Sequence, residues 1–128
     1  MTNREIFDSA VHLASELRQV GENDDYETRA PYLLPLFCAR YVALDATYRR
    51  AHGLEPQSAE VGVRLEATGE FPLSPLFAAP AAAALAALLV VAENPQLCDR
   101  LEQRSREAIL EISRSIPCLA HPITSVYG

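Results

Sequence analysis

Three histidines, three cysteines and a row of glutamates are the residues of this chain best suited to chemistry. His12 stands four residues before Glu16, so a helix would place both on one face, as a metal site starts. No second histidine or cysteine follows at ligand spacing, and His52 and His121 fall on other elements. His12 therefore reads as a histidine at the core boundary. Glu102, Glu107 and Glu111 suggest the carboxylates of a di-iron bundle. That site needs Glu-x-x-His motifs on facing helices, and none occurs here. These glutamates read as a solvated helix face. Glu22-Asn23-Asp24-Asp25 is acidic but lacks the ligand spacing of a calcium loop. It reads as a polar turn that starts a helix, with Asp24 or Asp25 as cap. Cys38, Cys98 and Cys118 are isolated and odd in number, which argues against a disulfide framework or zinc site and fits reduced cytosolic thiols. There is no G-x-S-x-G, P-loop or G-x-G-x-x-G. The reading assigns no catalytic, cofactor-binding or metal residue, expects no cofactor, and does not expect an enzyme.

The elements around these residues are helical. Helix 1 is expected over residues 3–20. Thr2-Asn3-Arg4-Glu5 has the capping-box pattern, with Glu5 reaching back. Ile6, Ala10, Leu13, Ala14 and Leu17 form its apolar face, and Gly21 closes it. Helix 2 is expected over 26–52, with Leu33, Leu34, Phe37, Tyr41, Leu44 and Tyr48 inward and Gly53 as its stop. Pro31 and Pro35 each lack an N–H, so a kink or a separate first turn is expected there. In the link, 54–75, Val61, Val63 and Leu65 alternate with polar or small residues, which suggests a short strand or hairpin. Helix 3 is expected over 80–93, with a separate turn at Pro75–Ala78. Helix 4 is expected over 95–116. Asn94 caps it, Pro95 opens it, and Leu97, Leu101, Ala108, Ile112 and Ile116 line its core stripe. Residues 117–128 are expected as an extended tail, either tucked against the home bundle, the commoner fate of an apolar terminus, or offered to a partner. The fold class is all-α: one four-helix bundle-like domain, 1–128, with an extended or hairpin link and an extended C-terminal tail.

Leu76 to Ala92 contains no polar side chain, and nine of its 17 residues are alanine. A helix without a wet face must be covered by the rest of the chain, a membrane or other subunits. A membrane span needs roughly 20 apolar residues. This run is shorter, alanine-rich and broken by Pro80, so no span is expected. Ala79, Ala83, Ala86 and Val90 form a small-residue row that admits another helix closely. Together with Ile123, Val126 and Tyr127 of the tail they are the candidate subunit interface.

All 11 basic residues are arginine, which with 20 alanines reads as GC-rich codon usage. A net charge of −6 without a dense basic stretch argues against nucleic-acid coating. The N-terminus lacks the basic and apolar regions of a signal peptide.

Several phrases occur in a telling order: Asn23-Asp24-Asp25-Tyr26-Glu27, Arg29-Ala30-Pro31-Tyr32-Leu33-Leu34, Glu70-Phe71-Pro72-Leu73-Ser74, Ala86-Ala87-Leu88-Leu89 and Glu93-Asn94. In layout and phrase, residues 3–116 resemble the short helical head–tail connector (neck adaptor, head-completion) proteins of tailed phages and prophages. The resemblance implies a structural subunit. It forms a ring with copies of itself, extends the portal channel and docks the tail. Its partners are the portal protein and a tail-side neck protein. DNA passes through without sequence-specific binding. The implied location is the bacterial cytoplasm during assembly and the virion neck afterwards. A head-to-tail contact that closes makes such a ring. The alternative from the residues alone is a small cytosolic binding or regulatory module, expected as a dimeric bundle.

Overall fold

The computed structural model describes residues 1–14, 24–55 and 62–116, apart from the side chains of Asp24 and Asp25. They form an all-α fold of four helices: α1 (Asn3–Ala14), α2 (Asp24–Ala51), α3 (Ala78–Val90) and α4 (Pro95–Ser115), with a 3-10 turn at Pro75–Phe77. Residues 15–20 and Gly21 of the expected first helix, the capping roles of Asp24 and Asp25, Val61, and the tail with Ile123, Val126 and Tyr127 lie outside what is described.

The centre of the fold is α3. It touches α4 most extensively, then α1, then α2. Nine of its 13 residues are buried, including Leu85, Ala86 and Leu89. The helix without a wet face is thus covered by its own chain. Burying each leucine removes apolar surface from water and contributes about 1.5–3 kcal/mol. The helix starts two residues earlier than the pattern suggested. Pro80 lies in its first turn, where an N–H would have no helical partner anyway. It ends at Val90, whose carbonyl accepts the amides of both Glu93 and Asn94. Val91, Ala92 and Glu93 are exposed, so the apolar run outlasts the buried helix by two residues.

The outer helices each bury one stripe. In α1 this is Ile6, Phe7, Ala10 and Ala14. In α4 it is Leu97, Cys98, Leu101, Ser105 and Ile112, while Ala108 and Ile116 are only half-buried. Asn94 Oδ1 accepts the Leu97 amide at 3.1 Å, and Pro95 opens the helix, as its sequence implied. At the other end of α2, the Leu54 amide donates to the Arg49 carbonyl and the Gly53 amide to that of Arg50. Gly53 has φ +67°, the left-handed cap that a glycine adopts without strain.

Two expectations need correction. First, of the kink or separate first turn expected in α2, the separate turn does not form: the helix is continuous through Pro31 and Pro35. Pro35 cannot donate to the carbonyl of Pro31, and the amide of Leu65 takes that place at 2.9 Å. Second, the described part of the link forms no hairpin. The expected alternation fails at Val63, which is exposed, while from Leu65 to Leu73 the odd-numbered residues turn inward. The extended backbone pairs with the start of the chain instead of a second strand. Thr2 and Glu70 form an isolated antiparallel bridge. The Asn3 and Arg4 amides donate to the carbonyls of Gly69 and Ala67, both at 2.9 Å. The link thereby satisfies helix-start N–H groups that α1 cannot satisfy itself. Glu5 does reach back, its Oε2 accepting the Thr2 amide at 2.8 Å.

Candidate functional site

The chemically able side chains stay apart. His12 is on α1, and His52 lies just beyond α2, its Nδ1 3.0 Å from the Tyr48 carbonyl oxygen. His121 and Cys118 lie outside the described residues. Among the described residues no group of three or more His, Cys, Asp or Glu is placed to hold a metal ion. The glutamates of α4 bind neighbours on their own helix: Glu102 with Arg106 at 3.0 Å, Glu107 with Gln103 at 3.1 Å, and Glu111 with Arg114 at 3.9 Å. Cys38 and Cys98 are buried free thiols. Burial, and secondarily the charge of Asp45, pushes the Cys38 thiol up to about 12. Burial likewise raises Cys98, with Glu102 and Asp99 adding to it. Both are protonated at neutral pH, and a thiol is a poor nucleophile compared with its thiolate.

The most deeply buried charge is Asp45, which is fully enclosed. It sits one turn before Arg49 on α2, and Arg49 Nε lies 3.0 Å from its Oδ2. The Nε–H itself points to Ser74 Oγ, also at 3.0 Å. The Ser74 amide donates to Asp45 Oδ1 at 3.1 Å. Arg49 also reaches the carbonyls of Pro72 and Glu55. This node ties the Pro72–Ser74 segment to α2 and so fixes the entry into α3. Its role is positional.

An open groove of about 720 Å³ lies between α1, the first turns of α3 and the middle of α4. Its floor is Ile6, Leu13, Pro80, Ala82, Ala83 and Ala108, with Ala79 on the lip. Glu5, Asp8, Ser9, His12 and Arg104 stand around the rim. Two of these are already engaged, Glu5 with Thr2 and Asp8 with Arg4 at 3.5 Å. Small side chains make the groove: alanine and proline leave space between helices that larger residues would fill. Such a surface accepts apolar side chains. A smaller hollow of about 280 Å³ lies across the molecule's α2–α3–α4 seam, lined by Leu36, Phe37, Arg40, Tyr41 and Leu88 among others.

The candidate interface row is split by this arrangement. Ala79 is exposed beside the groove. Ala83, Ala86 and Val90 are almost wholly inside the subunit, at 2%, 0% and 2% exposure. The close approach that this row permits is used by the chain's own helices, and of these three only Ala83 also lines the groove. Ile123, Val126 and Tyr127 lie outside the described residues. No family model, curated protein or solved structure matches the chain.

The Asp45–Arg49 node and the groove were not read from the sequence. An acid and a base at i,i+4 in a half-apolar helix hint at the node, and the partner Ser74 is too distant in sequence to be paired with it. The groove had a signal in Ala78, Ala79, Ala82 and Ala83, whose small size gives one side of α3 little volume.

Proposed function

We propose that the protein is a structural subunit of a phage or prophage head–tail connector, working through contacts with other chains. The supporting observation is that the phrases on which the resemblance rests fall on the joints of this fold. Tyr26 Oη donates to Glu93 Oε1 at 2.8 Å, and Arg29 Nη2 to the Leu88 carbonyl at 3.3 Å, tying the start of α2 to the end of α3. Pro31 receives the Leu65 amide. Pro72–Ser74 occupies the Asp45–Arg49 node. Ala86–Leu89 lies in the C-terminal half of α3, where Ala86, Ala87 and Leu89 are buried. In this chain those phrases lock four helices together. In this reading copies of the chain form a ring, the portal and a tail-side neck protein bind it, and DNA passes without sequence-specific contact. Arg4, Arg49, Arg64, Arg106 and Arg114 stand against carboxylates, which leaves less basic surface for phosphates. No helix among the described residues is long and apolar enough to cross a membrane. The places of action would be the bacterial cytoplasm during assembly and the virion neck.

A second reading, a small self-contained binding or regulatory module, is favoured by the coverage of α3 within one chain. One experiment separates the two. Source cells are induced with a DNA-damaging agent, particles are banded on a density gradient, and the chain is quantified by mass spectrometry. Constant stoichiometry with portal protein supports the connector. Intact particles that carry portal and capsid protein without this chain support the module.

A further inference from the structure

The 720 Å³ groove is large enough for a few side chains, within the roughly 300–1,000 Å³ typical of ligand pockets. Its floor is built mainly from small apolar residues, so its occupant must bring large ones. Residues 117–128 have that composition: Leu119, Ile123, Val126 and Tyr127, with no Asp, Glu or Arg to desolvate. We propose that this segment of the same chain folds back into the groove and covers Ala79, Pro80 and Ala108.

Reach supports the assignment. The last residue of α4, Ser115, lies two turns beyond the groove-lining Ala108, about 10 Å along a helix. Twelve residues span up to roughly 40 Å when extended, several times that distance. Pro117 and Pro122 disfavour a helix running through them. Attachment close to the groove also gives the segment an effective concentration on the order of millimolar. A neighbour's copy of it would have to compete with that. The inference stands independently of the connector reading, because a self-contained module would carry the same contact.

The test places a photo-crosslinking benzoyl-phenylalanine at Ser9 or at Ala79 in the full chain, both exposed on the groove. Isotopically light and heavy proteins are mixed before irradiation, and crosslinked peptides are identified by mass spectrometry. Expected are crosslinks to residues 117–128 in light–light and heavy–heavy pairs only, with none from a control position at the exposed Ala43 of α2. Light–heavy pairs would assign the groove to a second copy. Crosslinks that never include 117–128 would leave that segment elsewhere. Either result overturns the proposal.

Discussion

Replacing Asp45 by alanine tests whether the α2 node holds the entry to α3. The substitution removes the acceptor of the Ser74 amide and the counter-charge of Arg49. Breaking a buried ion pair from one side costs about 3–5 kcal/mol when the remaining charge is stranded. Arg49 is not fully stranded, since its side chain is 20% exposed and keeps Ser74 Oγ and the Pro72 and Glu55 carbonyls. The Ser74 amide does lose its charged acceptor, a bond worth about 1.5–3 kcal/mol. The sum is a loss of about 3 kcal/mol, a large share of a stability of roughly 5–15 kcal/mol. For a chain of this size that lowers Tm by about 10–15 °C. Urea denaturation followed by circular dichroism measures it, with an unchanged slope showing that the unfolded state is the same. Asp45→Asn keeps one acceptor for Ser74 and should lose about half as much. A loss below about 1 kcal/mol for Asp45→Ala would refute the reasoning, because only a buried carboxylate that does no structural work should be so cheap to remove.

Four further outcomes follow from the same contacts. Ser105→Ala deletes the hydroxyl that donates to the Pro80 carbonyl at 2.9 Å between α4 and α3, and should cost about 1 kcal/mol in the same denaturation assay. Gly53→Ala puts a Cβ at φ +67°, where no neighbouring atom obstructs it, so only backbone strain of about 1–2 kcal/mol is expected. Tyr26→Phe removes the hydroxyl bound to Glu93 and should lose about 1–2 kcal/mol, with the start of α2 exchanging its amides faster. Cys38 gives a pH signature. Its folded pKa of about 12 lies above the unfolded value near 9, so the unfolded chain loses its proton first. Stability is then fully present below about pH 9 and falls as pH rises toward 12. Cys38→Ala should flatten that alkaline slope in denaturant titrations at several pH values.

The parts of the fold visible in the sequence were those written in local patterns. Asn94-Pro95 marked the start of α4, Gly53 the end of α2, and Thr2 to Glu5 the start of α1, because caps act over three or four residues. The apolar run marked α3 as enclosed, yet it did not say by what. The choice between neighbours and the home chain depends on how three amphipathic helices converge, and that is non-local. The same limit hid the link's role: Leu65 to Leu73 alternates as a strand does, while its hydrogen-bond partners are the chain's own first residues and the carbonyl that Pro35 leaves open. Of the candidate interface, Ala79 alone among the described residues remains exposed. Small side chains signal close approach without naming the helix that approaches.

Hydrogen exchange of α3 amides tests the central structural claim, that one chain encloses this helix. Exchange is followed by mass spectrometry over a ~100-fold range of protein concentration, since a core completed by a partner must weaken on dilution. The account predicts that the amides from Ala82 to Val90 are among the slowest in the molecule and keep the same rates at every concentration. Rates in this stretch that rise as the protein is diluted would show that another copy completes its cover, and would contradict the account.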